Sequence, residues 1–403
     1  MNIVRKFNDM QDAFFRWGWL IPAALPLAQV GGRGLFNSIA VAYAVWGLLA
    51  LWRRRSRLDR MVVLPYLALV GVFLIGIPGA VDPGASLKTW SVFLMLSFSF
   101  LLMRAAMGES TGHPDRFLGA TALFGVLALA ALVLLVPYFA FGWSGVPFFP
   151  QFQLKEDGLP FLLPFILGWV WRRGGGRWRY GAMAGIALVA LAYVVLAQGR
   201  AALVGMIIGL AVFCWAVLGW RLRWGALLAA VVLIIGFLAN LGAFLRGGNV
   251  DANHRFDAFT SGRTIMWRQA IQHPPERPWL GVGMGNVGHT PEILDMGSRG
   301  KAKHLHNFLM DAWYETGLLG VGALLALFGS VLARLSGNWR NLSPEDRQRA
   351  GILLSAMMAI IAAALFSFGY TSRYFALYGF VCLGGLSYFA AIRAGADRTP
   401  DRH

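Results

Sequence analysis

The sequence predicts an all-α polytopic membrane protein of about 12 transmembrane helices, and three observations carry that prediction. Only 14% of its 403 residues are charged and 57% are hydrophobic, where a soluble domain carries about a quarter charged residues. Apolar stretches recur at lengths near the ~20 residues that cross ~30 Å of hydrocarbon at ~1.5 Å per residue. The basic residues sort to alternate connections, as they do in multi-pass proteins.

The first apolar segment, 17–31, follows Arg5, Lys6 and Arg16 and contains Pro22 and Pro26. Gln29-Val30-Gly31-Gly32-Arg33 follows it in place of a small-x-small cleavage site, so it reads as a retained span. Further spans are expected near 36–52, 62–80, 88–106, 117–141, 159–171, 181–197, 201–219, 225–244, 308–333, 351–369 and 374–392. The chain then divides into transmembrane helices 1–9 over 1–244, a long loop over 245–306, helices 10–12 over 307–392 and a tail over 393–403.

Twelve spans put both termini on one side, together with 53–60 (RRRSRLDR), 172–179 (RRGGGRWR), 221–223 (RLR) and 334–349. That side holds 23 of the 36 Lys and Arg, against five in the opposite short loops (Arg33, Lys88, Lys155, Arg200, Arg373) and eight in 245–306. The asymmetry sets both termini in the cytoplasm and the long loop on the opposite side of the membrane. Trp17, Trp19, Trp52, Trp143, Trp171, Trp220 and Trp224 fall at span ends, as interfacial aromatics do. The formal net charge of +17 is therefore mostly a topology signal, and nucleic acid is not an expected partner. Cys214 and Cys382 both lie in apolar runs and read as small core residues, since two cysteines build neither a disulfide framework nor a zinc site.

The segment 245–306 differs from every other connection. It holds five of the seven histidines, yet also Trp267, Ile271, Trp279, Leu280 and Val282, so it is expected to be ordered. Loops beyond about 15 residues are uncommon unless functional or disordered. Ser261 can cap a short helix from Gly262 to Gln272, stopped by Pro274-Pro275. Ile265, Met266, Trp267, Ala270 and Ile271 would let that helix lie on the bilayer surface.

Three features point to one site outside the cytoplasm. Gln198-Gly199-Arg200 is a tight turn between two spans, which holds Arg200 at the membrane surface. A snorkelling arginine is the bland alternative, but positive charge is depleted on this side. Second, Gly262-Arg263 and Trp267-Arg268 put two arginines on the surface helix. They would suit lipid phosphates or a pyrophosphate, which a planar guanidinium pairs bidentately.

Third, His306-Asn307 directly precedes a span, with Asp311 and Glu315 at four-residue intervals and then Gly317 and Gly320. A helix N-terminus, Lys301, Lys303 and nearby arginines all disfavour an imidazolium, so His306 should stay neutral and able to accept a proton. Gly317 and Gly320 are expected to permit close helix packing. Asp311 and Glu315 lie one to two turns into the bilayer and should face the bundle interior or a wet cavity. They would orient a base or hold substrate hydroxyls, and both roles stay open.

Other signals fail on context. Gly283-Met284-Gly285-Asn286-Val287-Gly288 spells GxGxxG, but no strand–helix–strand unit surrounds it and it lies outside the cytoplasm, so a dinucleotide is not expected. The chain has no Asp-x-Asp pair for a metal–sugar-nucleotide site. His304-x-His306 offers half a metal site with no third ligand at a suitable spacing. No metal and no cofactor are expected.

His306-Asn307, nine residues, Gly317, two residues, Gly320 resembles the H-[NSQ]-x9-G-x-x-[GTY] pattern of bacterial O-antigen ligases. Gly199-Arg200-Ala201-Ala202-Leu203 looks like that family's arginine turn, and Gly262-Arg263 through Trp267 like its loop arginine. Pro278-Trp279-Leu280-Gly281-Val282-Gly283 looks like its Pro-x-x-Gly-x-Gly stretch. The resemblance runs over roughly 198–320, while the first five spans match only in hydropathy. It implies transfer of a glycan from undecaprenyl pyrophosphate to the lipid A–core oligosaccharide on the periplasmic face of the inner membrane. It also implies His306, Arg200 and Arg263 as the essential residues, His306 being the base or a pyrophosphate anchor. Arg268, Lys303, Asn307 and Asp311 are candidates for binding substrate.

The chemistry of the residues is consistent with this. A pyrophosphate leaving group needs its developing charge stabilised, which two arginines do without a metal, and a sugar hydroxyl needs a base during attack. The nearest rival is an O-antigen polymerase, with the same donor and a second lipid-linked glycan as acceptor. Protein O-oligosaccharyltransferases share much of the histidine pattern but typically add a periplasmic region. A lipid-glycan transporter would spread charge along mid-membrane positions and show internal repeats, and neither is seen.

Overall fold

The computed structural model describes residues 2–30, 33–53, 58, 60–134, 158–196, 199–218, 263–290 and 304–392, and within them every regular element is a helix. Eight helical segments are long and apolar enough to cross a membrane: Gly34–Trp52, Arg60–Gly79, Pro83–Met107, His113–Val133, Trp178–Val195, Phe308–Asn338, Pro344–Ala364 and Tyr374–Ala391. Arg200–Ala216 is an apolar helix of shorter length. The expected span 225–244 and the tail 393–403 lie outside the described residues.

The N-terminus departs from expectation. Instead of one span over 17–31, α1 (Asn2–Trp17) and α2 (Leu20–Val30) are separated at Gly18, whose amide donates to the Phe14 carbonyl at 2.5 Å. The eleven residues of α2 cover only about half of the hydrocarbon thickness. Helix α1 packs along α3 (Arg33–Arg53): Gln11 Nε2 donates to the Leu49 carbonyl at 2.7 Å, and Trp46 Nε1 to that of Met10 at 2.9 Å. Trp19, expected at the interface, is buried beside His113, because the break at Gly18 turns it inward. Trp52, by contrast, is 82% exposed.

The chain continues through α4 (Arg60–Ile75), α5 (Pro83–Ser97), α6 (Ser99–Met107), α7 (His113–Val133), α8 (Leu159–Arg173), α9 (Trp178–Leu196) and α10 (Arg200–Ala216). Small residues bring helices together. A Cβ on Gly205 or Gly209 of α10 would meet Ala359, 2.7 Å from its carbonyl oxygen or its Cβ respectively, so α10 lies against α13 (Pro344–Ala364) at near-backbone distance.

Two further departures occur toward the C-terminus. Helix α13 starts earlier than the expected 351–369, because Ser343 caps it by accepting from the Asp346 amide at 3.1 Å, and Glu345 and Asp346 suit the positive end of the helix dipole. It stops at Ala364, and 365–373 is a connection to the π-helical turn Tyr374–Gly379 and α14 (Phe380–Ala391). Helix α12 (Phe308–Asn338) is broken at Gly317, which adopts φ 65°, ψ −168°.

The bundle has two ends. Asp115 of α7, Arg172 of α8 and Arg349 of α13 are ion-paired at one. At the other, the connections 76–82 and 365–373 meet residues 263–290 and 304–307. Phe73, Phe93, Tyr370 and Phe380 pack ring to ring beneath that second end.

Candidate functional site

The site begins with the break at Gly317. A positive φ is costly for any residue with a Cβ, and a Cβ here would also run into the main chain of Trp279 and Leu280. The interrupted helical bonds are replaced from outside: Leu318 donates to the Pro278 carbonyl at 2.9 Å and Leu319 to that of Trp279 at 3.2 Å. Just before the break, Val282 donates to the Tyr314 carbonyl at 3.0 Å and Gly283 to that of Glu315 at 2.9 Å. The Pro-x-x-Gly-x-Gly stretch is thus a main-chain splint along α12. Gly281 (φ 68°) and Gly283 (φ 102°) let it lie that close.

The GxGxxG run continues the splint. The Gly285 and Val287 amides hydrogen-bond the Glu315 carboxylate, and Tyr370 donates its hydroxyl to Oε2 of the same group at 2.8 Å. The two amides form a small polar nest, and its occupant is the chain's own Glu315 side chain, 4% exposed. Asn286 ties the run to the 76–82 end by donating to Ser86 Oγ at 2.7 Å. The splint accounts for these glycines without a dinucleotide; of the two expected to permit helix packing, Gly317 meets the splint, whereas a Cβ on Gly320 would lie 3.1 Å from Phe73 of α4.

Leu305 is gripped from both sides. Its amide donates to Asp311 Oδ1 at 2.6 Å, and its carbonyl accepts from Trp267 Nε1 at 2.7 Å. Met266 and Ala270 of α11 (Arg263–Gln272) pack with Leu305, Val287 and Tyr314 in a second small apolar cluster. The grip fixes the two flanking side chains, whose rings lie 4.0 Å apart: His304 and His306. His306 has φ 56°, the one positive value at a non-glycine among the described residues. Such strain persists only where surroundings impose it. Here the imposed direction brings Nδ1 of His306 2.8 Å from the Ser367 carbonyl in the 365–373 connection.

Both imidazoles are kept neutral. Burial pushes His304 down to about 4, aided by His306 and the Arg263 charge. Burial also lowers His306, with Arg263 adding to the effect and the Ser367 carbonyl opposing it. Arg263 is therefore close enough to be felt by both rings. Among the described residues, no three of His, Cys, Asp and Glu converge.

The other expected site residues are spread over α10, α11 and the start of α12. Arg200 opens α10 directly after Gly199, half-buried at the site end of the bundle. Arg263 opens α11 and shares its inward face with Met266, Trp267 and Ala270. Arg268 is exposed on a different side of that helix, about 140° around from Arg263 at 3.6 residues per turn, so the two do not make one platform. The expected helix is present over Arg263–Gln272, its expected first residue Gly262 lying outside the described residues, and Ile265 and Ile271 are exposed. Asn307 caps α12, its Oδ1 accepting from Leu309 and Met310 at 2.9 and 3.1 Å, which leaves only its Nδ2 to meet a ligand. Asp311 is 2% exposed and holds the histidine segment, the orienting one of the two roles left open. Lys303 and Ser261 lie outside the described residues.

Sequence reading passed over Trp267 as a positioning residue, and Ser367 and Tyr370 as partners. Trp267 was read as part of an apolar face, and its indole donor gives no pattern in sequence. Ser367 acts through its carbonyl, which any residue supplies. His304 did carry a signal, its i,i+2 spacing from His306, but as a ligand pair and not as an edge-on neighbour.

Residues 185–325 match the O-antigen ligase family, a stretch that contains Arg200, Arg263, His306, Asp311 and the splint. The chain is also 25% identical over 287 residues to the exopolysaccharide production protein ExoQ of Rhizobium meliloti (strain 1021). The alignment covers 68% of this chain, and the chain spans 59% of that relative's length.

Proposed function

From the match of residues 185–325 to the O-antigen ligase family, we propose that this multi-pass protein transfers a glycan from undecaprenyl pyrophosphate to a sugar hydroxyl of lipid A–core. In this reading the protein resides in the bacterial inner membrane with both termini cytoplasmic and the site on the periplasmic face. One observation carries it: His306, held at φ 56° with Nδ1 against the Ser367 carbonyl beside Arg263. A carbonyl only accepts, so the ring proton sits on Nδ1 and Nε2 keeps its lone pair for a substrate proton.

The acceptor oxygen attacks the anomeric carbon as Nε2 of His306 takes its proton. The bond from that carbon to the phosphate oxygen breaks, and the electron pair leaves with the pyrophosphate. Arg263 and Arg200 stabilise the charge that develops there, so the step needs no metal. A single displacement inverts the anomeric centre, and a retained anomer in the product would exclude it. Asp311 and Trp267 position the histidines through Leu305. Asn307, Lys303 and Arg268 are further contacts to the substrates in this reading.

The relative's name, which speaks of exopolysaccharide production, favours a second reading in which the acceptor is a lipid-linked glycan that is lengthened. Reconstitution with lipid-linked glycan, with or without lipid A–core, separates the two. Product on lipid A–core supports the ligase; lengthened lipid-linked glycan without it supports the polymerase.

A further inference from the structure

The end of the bundle remote from the histidines holds a cleft of about 480 Å³ between α7, α8, α13 and the start of α9. This falls within the ~300–1,000 Å³ range of ordinary ligand sites. Its charged lining is Arg172, Arg173, Arg179 and Arg349 against Asp115 and Glu345, four positive groups to two negative.

The carboxylates are already used. Arg349 places Nη2 2.5 Å from Asp115 Oδ2 and Nη1 2.6 Å from Asp346 Oδ1, and Arg172 pairs with the other oxygen of Asp115. Arg172 and Arg349 are thus spent on Asp115, Glu345 and Asp346, and Arg173 and Arg179 are the positive groups of the cleft outside these ion pairs. Arg179 is held in place: its guanidinium lies 4.1 Å from the Trp171 ring centroid and donates to the Tyr180 hydroxyl at 3.0 Å. Its Nε is buried with no partner among the described residues. A cation clamped over an indole is not one that has snorkelled away to water.

The rest of the lining is Gln348 together with apolar residues. Leu118 and Ile352 are buried at the floor of the cleft, where Gly168 packs against Ile352, and Trp169 of α8 is 47% exposed at its side. A basic rim beside an exposed tryptophan at interfacial depth matches a molecule with an anionic head and an acyl tail that lies against the indole. Free phosphate would use the rim and leave Trp169 without a role.

We propose that this cleft binds the headgroup of an anionic phospholipid, with Arg173 and Arg179 on its phosphate. The proposal is independent of the glycan chemistry, since none of these residues belongs to the histidine site.

Native mass spectrometry of the full chain in detergent, loaded with phosphatidylglycerol or phosphatidylcholine, tests it. Retention of phosphatidylglycerol over phosphatidylcholine is expected, falling about fivefold in each of R173Q and R179Q, as the loss of one basic contact implies. R177Q, an exposed arginine of the same connection outside the cleft, should retain lipid as the parent does. Arg173 is exposed, so its substitution leaves the fold intact and keeps the test valid should R179Q misfold. Equal retention of both lipids, unchanged retention in R173Q, or an equal loss in R177Q would overturn the proposal. So would complete displacement of the lipid by millimolar inorganic phosphate, which would mark a site for the free ion.

Discussion

His306 donates from Nδ1 to the main-chain carbonyl of Ser367, 2.8 Å away across 61 residues of chain. The bond exists because α13 stops at Ala364, freeing 365–373 to fold over the histidine, and because Leu305 is clamped by Asp311 and Trp267. Tautomer, direction and neutrality of one imidazole are thus set by three separate segments.

The first consequence is a pH profile. Burial and Arg263 hold His306 below its ordinary 6.5, and a base acts only while neutral. Activity should be full above the folded value and fall as pH drops through it. In R263Q the depressing charge is gone, so the acidic limb of the remaining activity should move to higher pH. Relative transfer rates across the acidic range check this, and a limb that stays put would separate Arg263 from His306.

His304 makes a stability prediction. It titrates near 6.5 when unfolded and at about 4 when folded, so the folded state binds the proton later. Its neutral form contributes stability that is fully present above the unfolded value and declines between 6.5 and about 4 as pH falls. H304Q should remove that part of the acid sensitivity. Thermal unfolding in detergent at pH 7 and pH 5 should show a smaller drop for the variant than for the parent.

Asp311 should act through Leu305. D311A leaves a buried amide without its acceptor, at about 1–3 kcal/mol, and loosens both histidines. D311N retains an amide oxygen that accepts the same bond, so it should recover most of the thermal stability and much of the transfer. Equal inactivation by both substitutions would mean that the carboxylate's charge matters in itself.

The splint predicts that its glycines are intolerant. G317A and G281A each add a Cβ at positive φ that runs into the facing main chain. Both should lower the yield of monodisperse protein in detergent far more than G322A, whose Cβ meets nothing within 4 Å.

The gross architecture was legible because spans leave a compositional trace: most expected boundaries fall within a few residues of the helices observed. Two misplaced boundaries had local causes. Gly18 breaks an apolar run that hydropathy reads as continuous, and the cap at Ser343 starts α13 ahead of its apolar centre. The glycines at 281, 283, 285 and 317 were visible as motifs but not in purpose, because their use depends on a loop meeting a broken helix far along the chain. Arg263 and His306 were expected at one site from their sequence context, and the Arg263 charge does lie near both histidine rings. The hold on His306 was not, since it runs through a carbonyl of Ser367 and an indole of Trp267.

The central claim is that His306 serves as the base. The most direct test is H306A in reconstituted membranes, measuring glycan transfer and donor retention side by side. Transfer should fall by about 10²–10⁴ while the lipid-linked donor is retained as before. Unchanged transfer would contradict the assignment, and loss of donor retention in step with transfer would make His306 a pyrophosphate anchor instead.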